Sequence, residues 1–133
     1  MLNRVAVLTG DITAGPQPNQ VLDLLIGLGD RIVWISGNAD RELLEHRRGR
    51  RDSIPDPIAP WAAGQLREDH LDLLGRLPRS LALPVRGLGK VLSCHATPRD
   101  DEEVVLVDSR LAHGRLVINP GSFAPRDGRG EAP

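Results

Sequence analysis

Asp11, Asn38 and His95 are the residues whose types and settings could do chemistry in this chain. Each follows a short apolar run: residues 5–8 lead into Gly10-Asp11, 31–35 into Gly37-Asn38, and 90–92 into Cys94-His95. A carboxylate, an amide oxygen and an imidazole are donors that suit Mn, Fe or Zn. A polar donor at the end of a buried strand stands on a rigid edge, as a metal site requires. Metal ions beside a phosphoester neutralise its oxygens and lower the pKa of a bound water. The chemistry that this donor set suits is therefore metal-assisted hydrolysis of a phosphoester. Each residue also has a plainer reading. Asp11 can shape a turn after Gly10, Asn38 can take a left-handed turn position, and His95 can be a hydrogen-bonded strand-end histidine.

The elements that must position these residues alternate along the chain. A strand at 5–8 ends at the Thr9-Gly10-Asp11 turn. Asn19 is a good N-cap for a helix on which Val21, Leu22, Leu24, Leu25 and Leu28 repeat at helical spacing up to Gly29. A strand at 32–35 follows, and then a short helix at 40–48 with Asp40 at its favourable end. Residues 49–60 carry Arg, Asp and Pro without an apolar period and read as a loop. One helix is expected over 61–77, with Leu66, Leu71 and Leu74 on one side and a stop at Pro78. Strands near 80–85, 90–93, 103–107 and 115–118 complete the chain, the first two joined by a turn at 87–89. The mixture predicts an α/β sandwich rather than a doubly wound nucleotide-binding fold. Residues 10–15 lack both the glycine spacing and the lysine of the phosphate-binding loops.

Composition narrows the function classes. A chain of 133 residues fits a single domain, placed at 1–125, with a Gly-, Pro- and Arg-rich tail at 126–133 expected to be disordered. A net charge of -1 and the absence of Tyr argue against a nucleic-acid binder, which needs a basic face or stacking platforms. The single cysteine, Cys94, excludes an internal disulfide and fits a reducing cytoplasm. It reads as a small buried residue. Neither a charged-then-apolar leader nor a long apolar span is seen, so secretion and membrane insertion are not expected.

The stretches GDITAGPQPNQVLDLL, RIVWISGNADRELLEH, GKVLSCHATPRDDEE and GRLVINPGS, with the helical pattern between them, resemble the calcineurin-like metallophosphoesterases. The likeness is to their small bacterial single-domain branch, and it extends over nearly the whole chain. It implies an α/β fold, a two-sheet β-sandwich flanked by helices, with two metal ions held at strand ends. Two of the five ligand blocks of that family, Asp-x-His at the start and Gly-His-x-His near residues 107–111, have no counterpart. The fold it implies is therefore a truncated one. By the resemblance Asp11 bridges two metals, and Asn38 and His95 complete the ligands of one of them. The second metal keeps only the shared Asp11. A mononuclear site and impaired hydrolysis of a small phosphoester follow. The cofactor implied is one divalent metal, Mn first, with Fe, Zn and Ni as alternatives. A metal- or phosphate-binding pseudoenzyme, or a decayed fragment, is the alternative reading.

Further residues take their roles beside that set. Asp40 caps its helix, or orients Asn38 or His95 from behind. Ala39 stands where many relatives carry a leaving-group acid. Arg99 can reach a substrate phosphate or pair with Asp100 or Asp101. His113 reads as a surface turn rather than a substitute ligand, and His46 and His70 as solvated or interfacial. The Arg47–Arg51 run reads as a solvated charged face. Residues 119–122, Asn-Pro-Gly-Ser, read as a structural turn near the site. Loss of the opening block would expose a strand edge, which lowers stability and favours a homodimer through that edge.

Overall fold

The apolar runs near positions 5 and 32 fold as β1 (Ala6–Leu8) and β2 (Ile32–Trp34), side by side and parallel. This is seen in a computed structural model, which describes residues 5–103. Ala6 stands opposite Ile32 and Leu8 opposite Trp34, and the Ile35 N–H extends the ladder to the Leu8 carbonyl at 2.9 Å. Parallel strands need a crossover. Here it is α1 (Pro18–Ile26) and a 3-10 turn at Gly29–Arg31. Pro18 occupies the first turn of α1, where a missing N–H is harmless. The N-cap is therefore Gln17 rather than the expected Asn19. The Asn19 side chain instead donates to the Gln65 carbonyl at 2.6 Å.

The next helix, α2 (Asn38–Arg47), begins two residues earlier than its acidic start suggested. Gly37 takes the cap position, and the Asp40 carboxylate reaches back to accept its N–H at 3.0 Å. The single helix expected over 61–77 is two helices, α3 (Ala59–Gln65) and α4 (Glu68–Arg76). Leu66 and Arg67 between them are extended, with ψ of 130° and 161°. Leu66 buries its side chain from that extended position, so the apolar spacing persists although the helix breaks. Arg67 turns to Asp23 on α1, at 2.7 and 3.0 Å, and Glu68 and Asp69 supply an acidic start for α4. Helix α4 stops at Leu77, held extended by the following Pro78.

Leu22, Leu43, Ala62, Ala63, Leu66, Leu71 and Leu74 form the core between the four helices. Each leucine buried there contributes on the order of 2 kcal/mol. One expectation is corrected within it. His70 is fully buried rather than solvated. Its Nδ1–H donates to Asn19 Oδ1 at 2.9 Å, and its Nε2 lies 2.9 Å from both Asp23 Oδ1 and Arg67 Nη2. This polar cluster ties α1 to α4. Hydrogen bonds from Arg67, and then from His70, hold the Asp23 carboxyl well below the usual carboxylate range. Arg67 lowers Asp69 in the same way.

A lowered folded pKa means that the contribution is complete above the unfolded value, about 4, and is lost as pH falls through the folded value. The cluster is thus expected to hold its full strength from pH 7 to pH 5. Urea midpoints of an Arg67→Ala variant and the native chain should differ equally at pH 7 and pH 5. The gap should shrink only below about pH 4. A gap that closes between pH 7 and pH 5 would contradict this.

The hairpin β3 (Ser80–Val85) and β4 (Gly89–Cys94) is antiparallel, with Ser80 opposite Cys94 and Val85 opposite Gly89. Gly87, at φ +85°, makes its turn. The Ser36 N–H donates to the Pro78 carbonyl at 2.9 Å, joining the end of β2 to the start of the hairpin. Because Cys94 returns opposite Ser80, this join brings His95 back to the loop that follows β2. Among the described residues the fold is thus mixed α/β, with four α-helices and two two-stranded sheets. No helix among them is long and apolar enough to cross a membrane. The strands expected near 103–107 and 115–118, His113, the turn at 119–122 and the tail at 126–133 lie outside the described residues, save Glu103, which is in no strand.

Candidate metal centre

Asp11, Asn38 and His95 meet where three loops converge. Asp11 follows β1, Asn38 opens α2 just after β2, and His95 follows β4. His95 Nδ1 lies 2.7 Å from the Thr9 carbonyl, which can only accept, so this nitrogen carries the proton. Its Nε2 lies 3.0 Å from Asn38 Oδ1 and 3.5 Å from Asp11 Oδ1. With the amide in this orientation, three electron-rich atoms face one another. They repel unless positive charge lies among them, either a proton on Nε2 or a cation. A backbone carbonyl fixing Nδ1–H is a common way to present Nε2 as a metal ligand. The donor set therefore fits a divalent cation of the Mn, Fe or Zn type.

The loop backbones are shaped for this meeting. Asp11 has φ +53° and Ala96, next to His95, has φ +55°. Such left-handed geometry is costly for residues with a Cβ and concentrates at functional sites. The turn reading of Asp11 thus describes its backbone, while Asn38 is the first residue of a helix rather than a left-handed turn. Asp11 Oδ1 accepts the Ala39 N–H at 3.0 Å, within the first turn of α2, where the helix dipole favours an anion. Asp11 Oδ2 makes no hydrogen bond among the described residues.

Two glycines permit the approach. A Cβ on Gly37 would overlap both Asp11 N and Asp11 Oδ1. One on Gly10 would stand 2.6 Å from Gly37 Cα and 2.7 Å from His95 Nδ1. The Gly-Asp and Gly-Asn pairs are visible in the sequence, but the contact between them is not. The Thr9 carbonyl has no sequence signature at all.

Asp40 is buried, and its Oδ1 accepts both the Thr13 N–H at 2.9 Å and the Thr13 hydroxyl at 2.7 Å. With Gly37 N–H on Oδ2, this carboxylate ties the loop of Asp11 to the start of α2. It bonds neither Asn38 nor His95 directly. Arg99 pairs with Glu103, rather than with Asp100 or Asp101, and its side chain is exposed. Asp101 is taken by Arg41 instead. Cys94 is half-buried, and burial pushes its thiol upward, away from the reactive thiolate. His46 Nδ1 lies 3.0 Å from the Arg51 carbonyl.

No group of three or more His, Cys, Asp or Glu side chains gathers as a metal site among the described residues, at this locus or any other. The candidate centre has two such side chains and completes its set with an amide. A cleft of about 210 Å³ is lined by residues 12–18 and Val21, and by none of Asp11, Asn38 and His95. Compared with known proteins, the chain matches no family model, no curated protein and no solved structure.

Proposed function

We propose that this chain is a metal-dependent phosphoesterase of the calcineurin-like kind, reduced to a single-ion site. The observation that carries the reading is the convergence of His95 Nε2, Asn38 Oδ1 and Asp11 Oδ1, with the Nδ1 proton of His95 committed to Thr9. A divalent cation, Mn first, would supply charge neutralisation and a water of lowered pKa. Asp11 would give the anionic ligand, Asn38 a neutral oxygen and His95 a nitrogen. Three protein ligands leave open positions for water and a phosphate oxygen. The gathering of the ends of β1, β2 and β4 at one locus in a mixed α/β fold supports the reading. Ala39 offers no leaving-group acid, and its backbone N–H serves Asp11. Slow turnover of small phosphoesters with good leaving groups is the expected activity.

The test is a titration of the purified chain with Mn²⁺, followed by electron paramagnetic resonance. It is paired with hydrolysis of a chromogenic phosphodiester and a chromogenic phosphomonoester. One bound ion with Mn²⁺-dependent turnover supports the reading. One bound ion without turnover would leave a binding protein and remove the enzyme. Absence of binding, with Zn²⁺, Fe²⁺ and Ni²⁺ failing as well, would overturn the assignment.

A further inference from the structure

We infer that Arg41 is a positioning residue for the metal centre, a latch that holds the His95 loop against the helix carrying Asn38. This rests on the reading of the centre just proposed. Arg41 lies on α2, about one turn beyond Asn38. Its Nε and Nη2 donate to the two carboxylate oxygens of Asp101 at 2.8 and 3.0 Å. Nη2 also donates to Glu102 Oε1 at 2.7 Å. Side-chain exposure is 20 % for Arg41 and 11 % for Asp101, so this forked pair is largely shielded from water. Shielding and bidentate geometry separate it from exposed ion pairs, which contribute little.

The pair acts at one end of a short, strained connection. His95 leaves β4, Ala96 follows at φ +55°, and Thr97 is buried. The Thr97 N–H donates to the Asp100 carbonyl at 3.1 Å, and its hydroxyl oxygen receives the Asp100 N–H at 3.2 Å. Residues 97–100 are thus a closed turn, and Asp101 is the next residue along. The turn is anchored through β4 on one side and through Arg41 on the other. Release of Arg41 leaves the left-handed Ala96 freer to relax, since beyond the Asn38–His95 contact itself no other α2 residue bonds this segment among the described residues. His95 Nε2 and Asn38 Oδ1 then lose their fixed 3.0 Å separation, and metal affinity falls with it. The sequence gives no sign of a contact between positions 60 residues apart.

Three variants test this: Arg41→Ala, Asp101→Asn and the two combined, with Arg67→Ala as a control that breaks a different ion pair, the one to Asp23 and Asp69. Mn²⁺ affinity should fall about 10-fold or more in each single variant, the range for residues that orient ligands. The double variant should be no worse than Arg41→Ala alone, because that variant already removes the contacts to both Asp101 and Glu102. Arg41→Lys should restore only part of the affinity, since an ammonium cannot make the fork. Amide exchange at Thr97, read without metal, should quicken in Arg41→Ala and not in Arg67→Ala. Native-like Mn²⁺ affinity in a folded Arg41→Ala protein would overturn the latch and leave the metal centre standing. A native chain that binds no metal would overturn both. Equal loss of affinity in Arg67→Ala would reduce Arg41 to a general stabiliser and sink the inference.

Discussion

Replacing Asp11 by Asn is expected to abolish Mn²⁺-dependent hydrolysis and to weaken Mn²⁺ binding by more than about 100-fold, while the chain stays folded. The substitution is close to isosteric. Asn tolerates the φ of +53° nearly as well as Asp, and its Oδ1 can still accept the Ala39 N–H. What disappears is the one negative charge in the donor set, since Asn38 and His95 are both neutral as ligands. A factor of 100 corresponds to about 2.7 kcal/mol, a modest demand for a full charge facing a divalent ion. By the same logic Asn38→Ala should weaken binding less than Asp11→Asn, because it removes a neutral oxygen. Electron paramagnetic resonance of bound Mn²⁺ and thermal melting of the same samples would measure both quantities. Retained turnover in Asp11→Asn would remove this carboxylate from the mechanism.

The site was more legible than the helices, for physical reasons. Asp11, Asn38 and His95 each end an apolar run, and a strand fixes the direction in which its last residue leaves. Three strand ends in one neighbourhood then need two pairings, β1 with β2 and β3 with β4, and the Ser36–Pro78 hydrogen bond that joins the two sheets. The hydrogen-bond logic within the site was not legible. It depends on the Thr9 carbonyl and the Ala39 N–H, groups that every residue carries and that spacing cannot single out. The break at Leu66-Arg67 escaped for a related reason. Leu66, Leu71 and Leu74 face one core from two helices much as they would from one, so apolar periodicity alone does not separate the two cases. Burial of His70 was hidden because its partners, Asn19 and Asp23, come from a helix far earlier in the chain. Arg41 and Asp101 illustrate the same limit. Nothing in the spacing links them, and only the fold makes this pair shielded and forked.

Gly10→Ala is expected to destabilise the chain by about 4 kcal/mol, a large share of a typical domain's stability, and to destroy the metal centre together with the fold around it. Two independent costs combine. A φ of +102° lies outside the regions open to residues with a Cβ, which costs on the order of 1–3 kcal/mol. The new methyl would also stand 2.6 Å from Gly37 Cα, far inside the ~3.5–4 Å at which carbon atoms rest. Neither neighbour is a flexible side-chain tip that could swing aside. Gly37 Cα is backbone at the start of α2, and His95 Nδ1 is committed to Thr9. The two costs can be measured apart. Gly87 has φ +85° with no atom within 4 Å of a built Cβ, so Gly87→Ala should show the conformational cost alone, about 1–2 kcal/mol. Gly37 has φ -97°, which any residue adopts, so Gly37→Ala should show the crowding alone, against Asp11. Urea unfolding of the three variants should therefore place both Gly10→Ala and Gly37→Ala below Gly87→Ala in stability, since a Cβ at position 37 would overlap the Asp11 backbone nitrogen. Gly37→Ala should lose Mn²⁺ affinity out of proportion to its stability, because its methyl displaces a ligand. Gly87→Ala should keep native affinity. If Gly10→Ala were no worse than Gly87→Ala, the three loops would not be in contact, and the convergence on which the metal centre depends would fall.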